Sequence, residues 1–183
     1  MNWLKLLLLA VALVYPFAVY FGLQVLETRL LGGILAGLLL LRLLLAGSKL
    51  TLHPGVFTVA LSGVVFSLAA SIADNPDLFL YSPAAMNAGL LLVFGHSLVS
   101  PPSVVEQIAR VMEPALPESA ISYTRKVTMV WCGFFVLNGG IALYTALYTS
   151  LATWTLYNGL IAYMLMGILF LVEFLIRRRV REP

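Results

Sequence analysis

SPPSVVEQIARVMEPALPESAISYTRK, residues 100–126, is the one long polar interruption in an otherwise apolar chain. It gathers Glu106, Glu113 and Glu118 with Arg110, Arg125 and Lys126, and it holds four of the nine prolines. Pro101-Pro102 ends the helix before it, and Ser103 with Glu106 forms an S-x-x-E signature that starts a new one. Val104, Val105, Ile108, Val111 and Met112 then share one helical face, opposite Glu106, Gln107, Arg110 and Glu113. The pattern predicts an amphipathic helix of about three turns lying along a membrane surface. An ordinary connecting loop with a helical turn fits the same residues.

Outward from this stretch, both flanks read as membrane. Of 183 residues 61% are hydrophobic and 10% charged, and mean hydropathy is +0.99; ordinary soluble domains carry about 25% charge. A chain this apolar needs lipid as its solvent. The net charge of +3 is not a nucleic-acid signal, because the basic residues sit at helix ends, where they orient the chain. The lone Cys132 excludes an intrachain disulfide and a cysteine-rich metal site.

The expected fold is all-α, a single-domain polytopic bundle of six spans near residues 3–22, 30–46, 56–73, 81–99, 127–148 and 154–176. The start resembles a signal peptide, but its A-x-A at 10–12 comes early and the apolar run continues to Phe21, so an uncleaved first span with a kink at Pro16 is expected. Gly32, Gly33, Ala36 and Gly37 give the second span a small-residue face with a Gly33/Gly37 G-x-x-x-G, suited to close packing within the bundle. Gly47-Ser48-Lys49 and His53-Pro54-Gly55 mark the next turn. Thr58, Ser62, Ser67 and Ser71 in the third span are expected to bond back to their own helix carbonyls. Asp74-Asn75-Pro76-Asp77 is a turn.

With six spans, ten of the eleven basic residues fall on one side (Lys5, Arg42, Lys49, Arg110, Arg125, Lys126 and the arginines at 177–179 and 181), and Arg29 alone on the other. That asymmetry predicts cytoplasmic termini and a cytoplasmic 100–126 loop. Arg42 is expected to snorkel to the interface. Tyr144, Tyr148, Trp154 and Tyr157 are expected to form an outer aromatic belt.

Polar groups inside spans are the functional candidates. Counting by sevens, Thr124, Trp131, Asn138 and Thr145 share a face that must point into the bundle, while Asn87 and Asn158 lie toward the outer ends of their spans. A polar pocket or pathway, and plain interhelical hydrogen bonding, both fit these asparagines. His96, Glu173, Arg177, Arg125 and Lys126 sit at the cytoplasmic level; Glu173 and Arg177 have the spacing of a helical ion pair. Glu106, Arg110, Arg125, Lys126 and Arg177 make a candidate cytoplasmic interaction surface. Catalysis finds little support. Cys132 lacks a neighbouring histidine, His53 and His96 belong to different spans, and G-x-S-x-G, H-E-x-x-H and P-loop motifs are missing. No cofactor is expected.

The second half carries a resemblance. YTRKVT (123–128), WCGFFVLNGGIALYTALY (131–148) and LYNGLIAYMLMGILFLVEFLIRRRV (156–180), with PPSVVEQIAR (101–110) and Tyr15-Pro16, resemble a family of bacterial inner-membrane proteins encoded in aryl-polyene and related polyketide-type clusters. More distantly, the layout is similar to the intracellular septation protein A family. Members of the first family are sometimes labelled ketosynthase; the residues here do not support that chemistry, since a ketosynthase needs a far longer soluble fold with a Cys and two further polar residues converging. The resemblance implies an accessory or scaffold for a lipid-like polyene product, with the bilayer, soluble biosynthetic enzymes or other inner-membrane proteins as partners. A small carrier or flippase using Asn87, Asn138 and Asn158, and a cell-envelope or septation factor, are the alternatives.

Overall fold

Hydropathy alone dictates helices here, because backbone amides in lipid must bond within their own segment. The computed structural model describes residues 3–45 and 54–181; of these 89% are helical and none is in a strand. The helices are α1 (Trp3–Val25), α2 (Thr28–Leu45), α3 (Pro54–Ala73), a single turn α4 (Asp77–Leu80), α5 (Ser82–Val99), α6 (Val104–Met112), α7 (Glu118–Tyr148) and α8 (Leu151–Leu156). A π-helical turn (Tyr157–Ile161) then leads directly into α9 (Ala162–Arg181). Helix therefore occupies each of the six expected stretches. Three continuous segments, Asp77–Val99, Glu118–Tyr148 and Leu151–Arg177, are long and apolar enough to cross a membrane, and Val14–Val25 and Phe57–Ala73 are shorter apolar helices. The expected turn at 47–53 lies outside the described residues, as do the side chains of Lys5, Met112 and the arginines beyond 177.

The largest departure from the expected boundaries is α7. It starts at Glu118, inside the polar stretch, because Pro117 takes extended backbone at its N-cap and Glu118 places an acid in the first turn. At about 1.5 Å per residue its 31 residues reach about 46 Å. That exceeds the roughly 30 Å of a hydrocarbon core, and the surplus includes exposed Ser119, Ser122, Arg125 and Lys126.

Packing runs as a chain of neighbours: α2 on α3, α3 on α5, α5 on α7, with α1 against α2 and the α8 end of the last helix. Gly32 is the close-approach position of α2; a Cβ there would stand 2.6 Å from the Ser67 carbonyl oxygen. Gly33 and Gly37 face open space. The G-x-x-x-G expected to pack is therefore turned outward, and Gly32 with the buried Ala36 does the packing instead. The error is one residue, which on a helix is about 100° of rotation. Ser71 also departs from expectation: it donates across to the Arg29 carbonyl at 2.8 Å, whereas Ser62 bonds back to Val59.

At the same end of the α2–α3 pair, Arg29 meets Asp74 at 3.2 Å, with both side chains at least half exposed. Asp74 has φ +52°, and Asn75 Oδ1 accepts the Asp77 N–H, so an Asx turn makes the corner. The expected aromatic belt divides. Tyr144 and Tyr148 are exposed, with ring centroids 5.3 Å apart. Trp154 is fully buried, donating from Nε1 to the Leu80 carbonyl at 3.0 Å, and Tyr157 is buried as well. Trp154 and Tyr157 are core rather than belt, because α1, the α4 turn and α7 close over that face of the last helix.

Candidate functional site

The stretch at 100–117 folds back over the ends of α5 and α7 and roofs a groove. Its attachment begins at Ser97, whose hydroxyl donates to the Phe94 carbonyl at 2.7 Å and accepts the Val104 N–H at 3.1 Å. Ser103 caps α6 by accepting the Glu106 N–H at 3.4 Å. Glu106 does not complete the reciprocal box through its side chain; its carboxylate pairs with Arg110, at 2.8 Å and 2.9 Å. Arg110 also donates to the Pro114 carbonyl at 3.3 Å, which ties the proline linker to the helix.

The orientation of α6 is informative. Ser103, Glu106 and Ala109 are buried against the bundle, whereas Ile108 and Val111 are 55% and 80% exposed. The carboxylate expected on a solvated face is thus turned inward, where Arg110 neutralises it. Val111 faces away from the protein, while Ile108 stays half exposed at the edge of the groove beneath.

Beneath this roof lies a groove of about 610 Å³. Leu90 and Phe94 of α5, Val105, Ile108 and Ala109 of α6, and Leu116 and Pro117 of the linker form one side. Ala120, Tyr123, Thr124, Val127, Trp131 and Phe135 of α7 form the floor, and Met166 and Phe170 of α9 the far wall. The floor is an aromatic cluster: Trp131 lies 4.7 Å from Phe170 and 5.8 Å from Phe135, and Phe135 5.0 Å from Phe94, between ring centroids. Such contacts hold ring geometry beyond simple area burial.

Charge appears at one end only, as Glu113, Glu173 and Arg177. Tyr123 donates to the Glu173 carbonyl there, at 3.4 Å. Glu173 and Arg177 do not close into the ion pair that their spacing suggests; both are half-buried and line the groove mouth. Arg125 and Lys126 are exposed on α7 beside the mouth, and His96 is exposed near the end of α5 without lining the groove.

The heptad face of α7 is buried throughout: Thr124, Trp131, Asn138 and Thr145 are each 5–7% exposed. The half of α7 beyond Phe135 forms a second polar unit. Asn138 donates to Asn87 Oδ1 at 3.1 Å and accepts from the Tyr157 hydroxyl at 2.8 Å. Asn87 donates in turn to the Pro83 carbonyl, and Asn158 donates to Thr145 Oγ1 and the Trp154 carbonyl. The three asparagines thus fall into two linked pairs, Asn87–Asn138 and Asn158–Thr145, stitching α5, α7 and the last helix. None of them lines the groove.

The sequence pattern points to Trp131, Glu173 and Arg177 but not to Phe94, Tyr123, Phe135 or Phe170, and it puts Tyr157 in the belt and not on Asn138. The spacing Trp131/Phe135 and Phe170/Glu173/Arg177 does put each set on one helical face, and that was the available signal. Among the described residues no group of three His, Cys, Asp or Glu converges as a metal site. No protein family, curated protein or solved structure matches the chain.

Proposed function

We propose that this chain is a six-span protein of a bacterial inner membrane, with cytoplasmic termini, that holds one long-chain amphiphile in the α5–α6–α7–α9 groove without catalysing a reaction on it. The groove carries the reading. Its volume of about 610 Å³ lies in the range of about 300–1,000 Å³ usual for ligand pockets. Its walls are aliphatic and aromatic over their length, and its charges gather at the mouth. An acyl or polyene chain fits the walls and its polar end the mouth.

The amphipathic α6 supports the membrane part of the reading. Exposed Ile108 and Val111 would enter the interface beside the groove, where a lipid-like product arrives from the bilayer. Resemblance to proteins of aryl-polyene clusters suggests the class of product, and exposed Arg125 and Lys126 offer a landing surface for soluble biosynthetic enzymes. The side-chain amides of Asn87, Asn138 and Asn158, on which the carrier alternative relies, are engaged in hydrogen bonds. The test is mass spectrometry of amphiphiles retained by protein purified in mild detergent. Wild type is expected to keep about one long-chain molecule per chain, and Ala120→Trp, which fills the groove, to lose it. Equal retention by the two overturns the proposal.

A further inference from the structure

The mouth of the groove holds two opposite charges that do not meet. Glu173 and Arg177 stand four apart on α9, in the acid-first order that pairs readily on a helix, yet among the described residues no salt bridge joins them. Glu106 and Arg110 have the same spacing and order on α6 and do close, at 2.8 Å. The open pair is not simply turned to solvent. Both side chains are half-buried and line the groove. Both also act electrostatically on the phenol of Tyr123, which reaches from α7 to the Glu173 carbonyl at 3.4 Å. A carboxylate and a guanidinium therefore converge on one phenol at the polar end of an apolar groove.

Charges drawn partly out of water need partners. Ionised carboxylate only accepts hydrogen bonds and guanidinium only donates them, so their joint complement is a head that carries a donor-bearing cation beside an anion. Cβ atoms four apart on a helix stand about 5–6 Å from each other, a gap on the scale of the two-carbon link between an ammonium and a phosphate. A purely anionic head would pair with Arg177 and leave Glu173 unmatched, with Glu113 lining the same mouth. A quaternary ammonium has no N–H to give to Glu173. The level fits as well, because the pair lies at the end of the last apolar segment, Leu151–Arg177, where the headgroup region of a bilayer begins.

The geometry points to a zwitterionic phospholipid with a primary ammonium, an aminoethyl-phosphate head, as the amphiphile of the groove. Glu173 accepts the ammonium, Arg177 takes the phosphate, and one acyl chain lies along Val127, Trp131 and Phe170. This assignment rests on the reading of the groove as an amphiphile site and narrows it to one class of head.

The test is quenching of tryptophan emission in the full chain, in mild detergent, by phospholipids that share one brominated acyl chain and differ in the head: aminoethyl, trimethylaminoethyl or glyceryl phosphate. Only the part of the quenching that Trp131→Phe removes is counted. The aminoethyl lipid should bind about tenfold more tightly than either of the others, the scale of a hydrogen bond to a charged group. Glu173→Gln, which keeps the shape and loses the charge, should erase that preference while the glyceryl lipid binds at least as well as before. Arg177→Gln should weaken all three. Equal affinity for the three heads in wild type, or Glu173→Gln weakening all three alike, overturns the head assignment and leaves the groove reading standing. Quenching by none of the lipids overturns both.

Discussion

Asn138 of α7 gives its amide N–H to Asn87 of α5 at 3.1 Å and takes the Tyr157 hydroxyl on its own oxygen at 2.8 Å. One side chain thereby links three helical segments. Interhelical bonds of this kind average about 0.6 kcal/mol in membranes, but removing a shared partner strands two groups, at roughly 1–3 kcal/mol each. Asn138→Leu should therefore destabilise by about 2 kcal/mol or more, and Asn87→Leu by less. A double-mutant cycle on unfolding in detergent measures the coupling; additive losses would remove the link.

The small-residue positions of α2 separate cleanly. Gly32→Leu drives a side chain into the Ser67 carbonyl and the Ser71 backbone nitrogen, 2.6 Å and 2.9 Å from an added Cβ. Overpacking of that kind costs about 1–3 kcal/mol. Gly33→Leu and Gly37→Leu meet open space and should leave thermal stability unchanged. Equal damage at Gly32 and Gly33 would contradict the packing described.

Trp154 is fully buried and bonded to Leu80. Trp154→Phe should cost about 1 kcal/mol from the lost indole bond, and Trp154→Ala about 3–5 kcal/mol from the cavity. Tyr148→Ala, at an exposed position, should change stability little. Melting of the three variants checks the ranking, which would reverse if Trp154 were an interfacial anchor.

The six-span threading is open to labelling. In a Cys132→Ser background, Ser119→Cys should react with a membrane-impermeant maleimide only from the cytoplasmic side, and Asn75→Cys only from the opposite side. Reaction of both from one side would rule out the proposed topology.

Groove occupancy has an optical signature, because Trp131 sits on its floor. Brominated long-chain fatty acid should quench part of the tryptophan emission in wild type. Trp131→Phe should remove that part while binding by mass spectrometry persists. Quenching of the same size in both proteins would move the chain elsewhere.

Comparison of these sites with the sequence shows where periodicity informs and where it does not. Residues 124, 131, 138 and 145 repeat by sevens, and a helix of known register must put them on one face, so their common burial was legible. The 33/37 glycine pair was legible as a pattern but not as a direction, since apolar residues on every side of α2 leave its rotation undetermined. Trp154 and Tyr157 suit an interface by chemistry and a core by shape, and only the neighbouring α1, α4 and α7 decide. The groove was least legible. Its walls come from four helices and a proline linker, and each contributes residues that look like ordinary core.

The π-helical turn at Tyr157–Ile161 carries a consequence for how this chain tolerates length changes. A π-turn accommodates one residue more than the α-helix around it. Phe170, Glu173 and Arg177 face the groove because the turn absorbs that additional residue without shifting the phase of α9. Deleting a single residue within the turn would remove that additional residue and leave a regular helix whose later residues keep their phase, whereas deleting one from the α-helical stretch between the turn and Phe170 would rotate everything beyond it by about 100°. Only in the second case would the aromatic wall and the charged mouth swing out into lipid, so the groove tolerates a shorter chain inside the π-turn and not after it.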